Sequence, residues 1–424
     1  MQGTGSHRRV LGGVLLWVAA VALVTAQRRD VFVQPRDIAA IQYSTGQTDH
    51  VVTRVNRRLQ DGTLRLAFNP DNGYLRSMLE ALGLSVTSQM LVFSQTSQQA
   101  PLINMHNPRA LFLGDEVAVA WVRGAERLEV AVLDPRQGGV FYTLDQKDGA
   151  TPRLVRNNDC LACHLTWETL GVPGFLTTSM YPLPDDPNAY ANGFTTIHGS
   201  PLEQRWGGWW VTGDHGGARH MGNVPVMPVD KGRARPNPRG VLKSVEGIFD
   251  LRGYPTSSSD VVALMVLNHQ TQMMNHLTRT GWEARVAAAL PSRDAESRVV
   301  EAAADLVAYM LLLDEAPLNA PVKGLSGYAE WFASQGPRDK QGRSLREFDL
   351  TRRLFKYACS YLVYSEAFDA LPPPAKRAVY ARLYDVLSGK VPSARGQRVL
   401  PPAERRAIID ILRDTKPDLP EFFR

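Results

Sequence analysis

One short motif, Cys160-Leu161-Ala162-Cys163-His164, constrains this chain more than any other feature. Two cysteines three positions apart, followed at once by a histidine, are typical of the attachment site of a c-type haem. Residues i and i+3 lie on one face of a helical turn, so both thiols can reach the two vinyl groups of one haem. The adjacent imidazole then supplies an axial iron ligand. The motif therefore predicts one covalent haem c, attached to Cys160 and Cys163 and ligated by His164.

The other uses of a CxxC pair are a thiol redox couple, a structural disulfide and half of a zinc site. The remaining cysteine, Cys359, lies far along the chain, and the histidines show no paired spacing that would complete a zinc site. No βαβ pattern typical of a thiol oxidoreductase surrounds the motif. Haem attachment is therefore favoured, and Cys359 is predicted to be a buried, inert thiol on an apolar helix.

The N-terminus has the pattern of a secretory signal peptide. Basic residues at 7–9 precede an apolar stretch at 10–24, and small residues before Gln27 predict cleavage that removes residues 1–26. The stretch is short for a membrane span, and an uncleaved N-terminal membrane anchor is the alternative. Export agrees with the haem motif, because c-type haem is attached to a secreted chain. A periplasmic location is therefore predicted.

The charge of the chain bears on its partners. The formal net charge is +6, and loss of Arg8 and Arg9 with the signal leaves 46 − 42 = +4. This mild excess favours docking to an acidic redox partner protein, or use of a small-molecule electron donor or acceptor. It does not indicate nucleic-acid binding, because no basic helix interleaved with aromatic residues is present. No later segment is apolar enough for a stable membrane span after signal removal.

Hydrophobic patterning predicts an α+β fold. The β-rich N-terminal domain is assigned to 27–150, the loop-rich haem-binding segment to 151–240 and the all-α C-terminal domain to 241–424. Short runs rich in Val and aromatic residues, separated by Gly, Pro and Asp, read as an antiparallel meander. The strands are predicted at 110–113, 117–122, 128–133 and 139–144. Helices are predicted at 75–82, 260–289 (with an optional break at Gly281), 292–313, 351–371, 375–387 and 403–413.

The haem-binding segment has its own local pattern. Polar residues at 157–159 can cap a helix that carries the motif and ends near 171–174. The stretch 205–223 holds three tryptophans, six glycines and two histidines. Such a composition indicates close backbone approach beside a flat apolar group, for which haem is a candidate; a tryptophan-rich mini-core is the alternative. Pro, Gly and basic residues at 228–240 predict a linker.

The sixth iron ligand decides between a carrier and an enzyme. An iron saturated by a second protein ligand suits electron transfer, whereas an open position can bind peroxide or a small gas. The candidate sixth ligands are His215, His220, Met221 and His198. For each of them, a solvated or hydrogen-bonded side chain is the alternative. Arg219 beside His220 also admits a peroxidase-like pair, although adjacent residues rarely face the same way.

The motif at 160–164 resembles that of c-type cytochromes. The whole chain is similar to a group of large, exported, single-haem proteins that carry CxxCH, then an RWGGW-like segment as at 205–209, then His-Met-Gly-Asn as at 220–223. It does not resemble the small class I cytochromes, and no activity is established for the group. The resemblance implies haem binding and electron transfer and transfers roles to Cys160, Cys163 and His164. A haem-dependent, peroxidase-like oxidoreductase and a haem-based small-ligand sensor are the alternative functions.

Overall fold

A computed structural model describes residues 37–149, 151–180, 193–224, 240–391 and 396–423. The signal segment predicted at 1–26 and nearly all of the linker predicted at 228–240 lie outside these residues. The chain divides into two compact units, Met1–Gln47 and Thr48–Arg424. The second unit has a mostly antiparallel sheet in its N-terminal half and helices in its C-terminal part, which confirms the predicted α+β class.

The centre of the second unit is an antiparallel sheet in the order β6-β5-β4-β3-β2-β1-β9. The meander of short Val-rich runs is confirmed, because all four predicted strands occur in it. The two-residue strand Trp209–Trp210 (β9) pairs with Met90–Val92 (β1) and forms one edge of the sheet. The strands are β1 Met90–Val92, β2 Arg109–Leu113, β3 Val117–Trp121, β4 Arg127–Asp134, β5 Gly138–Asp145, β6 Leu154–Arg156 and β9 Trp209–Trp210; a separate pair is β7 Thr178–Ser179 with β8 Phe194–Thr195.

The register of the sheet sorts side chains onto two faces. Val155 is opposite Thr143, and Thr143 is opposite Glu129, so these three side chains share one face. Phe141 lies on the same face, because alternate residues of a strand point the same way. Tyr142 points to the other face, where its hydroxyl lies 3.2 Å from Nε2 of His50. The first of these faces lies against the motif at 160–164.

The helices pack mainly on one another, and the longest, α4 (Val261–Ala289), crosses one end of the sheet. Helix α4 is continuous through Gly281, so the optional break does not occur. Its Gln270 side chain donates to the backbone oxygens of Gly114 and Asp115 in the β2–β3 turn. The helices are α1 Val51–Gln60, α2 Leu75–Ala81, α3 Leu161–His164, α4 Val261–Ala289, α5 Arg293–Met310, α6 Tyr328–Ser334, α7 Glu366–Asp369, α8 Pro373–Ser388 and α9 Pro402–Thr415.

The predicted segments share one core within the second unit. Strand β9 comes from the haem-binding segment and pairs with β1 of the β-rich region. Helix α4 of the C-terminal region packs against β5. The boundaries near 150 and 240 therefore mark changes in secondary structure within one compact unit. Among the described residues, no helix is long and apolar enough to cross a membrane.

The prediction of one helix at 351–371 is wrong. This stretch forms turns, a 3₁₀ helix at Tyr361–Tyr364 and the short helix α7. The side chains of Ser360 and Ser365 accept hydrogen bonds from the N–H groups of Leu362 and Phe368, so each serine starts a new turn. Cys359 is fully buried as predicted but lies in a turn, and burial raises the pKa of its thiol to about 12.

We predict that Asp260→Ala lowers the free energy of unfolding by about 3 kcal/mol. The buried Asp260 carboxylate caps α4 at Val262 and Ala263 and also accepts from the N–H groups of Leu325 and Ser326. Ser292→Ala is the control, because Ser292 caps only α5 and its loss should cost about 1 kcal/mol. Denaturant unfolding measures both; equal losses would contradict the wider role of Asp260.

Candidate functional site

The CxxCH motif at 160–164 directly follows the edge strand β6. A 3₁₀ turn at Asn158–Cys160 leads into helix α3, and the Asn157 side chain accepts a hydrogen bond from the Asp159 N–H and caps that turn. Helix α3 itself follows Cys160 without a side-chain cap, so the predicted polar cap lies on the preceding turn. The predicted extension of this helix to 171–174 is wrong, because it ends at His164. The Thr169 hydroxyl bonds the backbone N–H and C=O of Thr166 and closes a separate turn there.

The two cysteines of the motif differ in their surroundings. Both are free thiols; Cys160 is half-buried and Cys163 is exposed. Burial raises the pKa of Cys160 to about 11, and the Glu129 carboxylate adds to the effect. A catalytic thiol couple and a thiolate metal site both need the opposite shift. The structure therefore favours a chemistry in which Cys160 is not used as a free thiolate.

His164 is held in one orientation. Its Nδ1 lies 2.9 Å from the carbonyl oxygen of Gly174. A carbonyl only accepts hydrogen bonds, so Nδ1 carries the hydrogen and Nε2 carries the lone pair. Burial lowers the pKa of His164, which keeps the ring neutral near pH 7. The ring also contacts Phe141, with ring centroids 4.5 Å apart. Metal-ligating histidines in proteins are neutral imidazoles whose other ring N–H is held by a hydrogen bond.

Helix α4 supports the carbonyl that orients His164. The Asn275 side chain accepts from the Phe175 N–H at 2.8 Å and donates to the Phe175 oxygen at 2.9 Å. A Cβ on Gly174 would lie 2.2 Å from Asn275 Oδ1, so only glycine fits at this close approach. The sequence analysis missed Asn275, and it treated Gly174 only as a helix stop. Helix α4 carries four amide side chains, so no sequence signal singles out Asn275.

Apolar surface and charge surround the motif. Trp167 is 81% exposed and Val155 is 56% exposed, an unusual amount for large apolar side chains that flank one short helix. On the sheet face beneath Cys160, Arg109 and Glu129 form an ion pair at 2.9 Å. The Nε atom of Arg109 is buried there and makes no hydrogen bond among the described residues.

Two of the four candidate sixth ligands have no lone pair to offer. His198 Nε2 lies 2.8 Å from Asp314 Oδ1, and its Nδ1 lies 2.8 Å from His269 Nδ1, so both ring nitrogens are engaged. In His220, Nδ1 accepts the Gly222 N–H at 3.0 Å, which leaves the hydrogen of the neutral ring on Nε2. Burial lowers the pKa of His220 to about 3, with a contribution from His215.

The other two candidates retain free electron pairs. Met221 is buried, and its sulfur accepts a weak hydrogen bond from the Ser179 hydroxyl at 3.5 Å. His215 is buried, and its two ring nitrogens have no hydrogen-bond partner in the described part of the chain. The His215 and His220 rings meet edge to face, with centroids 4.8 Å apart.

These side chains group together but not with His164. His215, His220 and Met221 follow β9, whereas the haem motif follows β6 at the opposite edge of the sheet. The described contacts of the His164 ring, to Gly174 and Phe141, include none of these three side chains. The three tryptophans of this stretch are buried, and their indole N–H groups donate within the core, which favours the mini-core alternative. The acceptors are Asn268 Oδ1 and the backbone oxygens of Thr178 and Met105.

Comparison finds no family model, curated protein or solved structure that matches this chain. Within the described residues, no three His, Cys, Asp or Glu side chains are grouped so that they could hold a metal ion. The local chemistry of Cys160, Cys163 and His164 therefore defines the candidate site.

We predict that iodoacetamide alkylates Cys160 of the haem-free protein about 100-fold more slowly at pH 8 than a cysteine of ordinary pKa. The thiolate is the reactive form, and burial keeps the pKa of Cys160 near 11. Cys163 is exposed and serves as the internal reference. Peptide mapping by mass spectrometry measures both rates. Alkylation of Cys160 should become faster as the pH rises toward 11. Equal alkylation rates of Cys160 and Cys163 at pH 8 would contradict the burial of the Cys160 thiol.

Proposed function

We propose that this protein is a periplasmic c-type cytochrome that transfers electrons through one covalent haem c. Thioether bonds to Cys160 and Cys163 would hold the haem, and His164 would be its axial ligand. The observation that carries the proposal is the state of His164: its Nδ1–H is bound by the Gly174 carbonyl 2.9 Å away, which leaves the Nε2 lone pair for iron. Haem supplies an iron centre that exchanges one electron.

The residues present fit this group. Both thiols are uncombined, and Cys163 is exposed at the surface, where a vinyl group can reach it. Trp167 and Val155 offer apolar surface beside the thiols that a porphyrin can cover. Phe141 contacts the His164 ring, and the partly buried Arg109 guanidinium, which pairs with Glu129, is a cation that can also bind a haem carboxylate.

Export and partner choice complete the proposal. The signal pattern at 1–26 supports delivery to the periplasm, with an uncleaved anchor as the variant form. The net charge of +4 after signal removal supports exchange with an acidic redox protein, and a small-molecule donor or acceptor is the alternative partner.

We predict that co-expression with haem-maturation proteins yields a red protein whose pigment resists acid–acetone extraction after denaturation. Cys160→Ser and Cys163→Ser should each leave a single thioether, and the double variant should lose all covalent pigment, because no other thiol lies on that turn. Cys359→Ser is the matched control, and it should keep both thioethers since Cys359 is buried elsewhere. Fully extractable pigment in the unaltered protein would contradict the proposal.

A second candidate function is binding of a small ligand by an iron with an open sixth position. The placement of the four candidate sixth ligands favours it, because His198 and His220 have no free lone pair and His215 and Met221 follow the far edge strand. An open position suits a peroxidase-like oxidoreductase or a haem-based sensor.

We predict that His215→Gln and Met221→Leu leave the ferric absorption spectrum of the haem-loaded protein unchanged. Neither side chain is brought to His164 in the structure, so neither should change the spin state of the iron. Cyanide titration of the unaltered protein then separates the candidates. Ready cyanide binding favours the open position, and a low-spin spectrum that cyanide does not alter favours the electron carrier. Conversion to a high-spin spectrum in either variant would show that the altered residue is the sixth ligand.

A further inference from the structure

Four polar side chains from separate parts of the chain form a continuous hydrogen-bonded path through the interior. Asp314 Oδ1 lies 2.8 Å from His198 Nε2, His198 Nδ1 lies 2.8 Å from His269 Nδ1, and His269 Nε2 lies 2.8 Å from Ser360 Oγ. His198, His269 and Ser360 are almost completely buried, whereas the Asp314 side chain is 49% exposed. One end of the path is therefore in water and the other is in the core.

The path determines where each hydrogen lies. Although burial of Asp314 opposes ionisation, its hydrogen bond with His198 holds the carboxyl pKa below the usual value, so Asp314 is an ionised acceptor near pH 7. His198 Nε2–H then donates to Asp314, and His198 Nδ1 accepts from His269 Nδ1–H. His269 Nε2 in turn accepts from the Ser360 hydroxyl. Every donor meets an acceptor when both rings are neutral, and burial lowers the pKa of both histidines.

One added proton can be accommodated by reversing the bonds between the rings and the serine. With both nitrogens protonated, His198 donates to Asp314 and also to His269 Nδ1. The His269 hydrogen moves to Nε2 and is donated to Ser360 Oγ, whose second lone pair still accepts the Leu362 N–H. The Ser360 hydroxyl hydrogen then turns away from His269 and loses its acceptor, which lowers the proton affinity of the pair. A second proton is excluded, because two Nδ1–H groups would then face each other across 2.8 Å.

We propose that the His198–His269 pair is a buried acceptor for a single proton, linked to solvent through the Asp314 carboxylate. The proton comes from water, and the pair passes from neutral to +1 directly beside the negative charge of Asp314. This site is independent of the haem proposal. Although Ser360 hydrogen-bonds to a histidine base, its side chain is fully buried, so a substrate cannot reach it as a nucleophile.

Other groups around the pair set its proton affinity. The Tyr309 ring stacks on His198, with centroids 3.9 Å apart, and adds no charge near neutral pH because burial raises its pKa well above 10. The remaining titratable and charged side chains that face this cluster are Arg205, His276, Glu315, Tyr361 and Arg398. The Asp314 carboxylate hydrogen-bonds directly to the pair and is therefore the group expected to stabilise its cation most.

The test is a pH titration of the full chain, labelled with ¹⁵N-histidine, followed by NMR. At pH 7 we expect His198 to carry hydrogen on Nε2 and His269 on Nδ1. On acidification, one proton should enter the pair, and the His269 hydrogen should move to Nε2 in the same step. Three results would each overturn the proposal. They are a ring hydrogen on Nε2 of His269 at pH 7, uptake of two protons in separate steps, and no proton uptake by the pair before the protein unfolds in acid.

A matched pair of variants tests the role of the carboxylate. Asp314→Asn should lower the proton affinity of the pair at least about tenfold, because it removes the charge that stabilises the cation. Asp250→Asn is the control, since Asp250 has similar exposure but pairs with Arg252 and Arg123, neither of which faces the cluster. Equal shifts in the two variants would overturn the assignment of Asp314. If Asp314→Asn does not fold, the tautomers and proton count of the unaltered chain still decide the proposal.

Discussion

The hydrogen bond from His164 Nδ1 to the Gly174 carbonyl is the contact on which the account of this site depends. It orients the ring of a histidine at the end of a four-residue helix and leaves Nε2 available, while burial lowers the pKa of the ring and keeps it neutral near pH 7. Gly174 can occupy its place only because it has no side chain against Asn275. The orientation of the motif is therefore set by a helix that lies about a hundred residues later in the chain.

Helix α4 connects the haem motif to the rest of the core. Its amides Asn268 and Asn275 lie seven residues apart and so fall on one stripe. Asn268 binds the indole of Trp206, and Asn275 binds the backbone at Phe175. His269 lies between them in sequence and anchors the buried histidine pair. Helix α4 therefore contacts the motif, the tryptophan core and the buried histidine pair through three different side chains.

Local patterns in the sequence predicted most of the helices and strands, but they did not show which of these elements meet in the folded chain. Helical patterning predicted the two long helices to within a few residues, and the spacing of Cys160, Cys163 and His164 marked the site. The helix predicted at 351–371 failed because serine side chains restart the turns there. The candidate sixth ligands came from composition alone, and no local pattern indicated that β9 joins the far edge of the sheet. Asn275 was missed because its partner is backbone, which leaves no paired motif.

The central claim is that Cys160 and Cys163 carry a covalent haem beside an iron-ligating His164. Mass spectrometry of the matured protein after denaturation and proteolysis tests it most directly. The account predicts that the peptide containing residues 160–164 carries the mass of one haem on two thioether bonds. The same peptide recovered from matured protein with two free thiols, or with a disulfide between Cys160 and Cys163, would contradict the account.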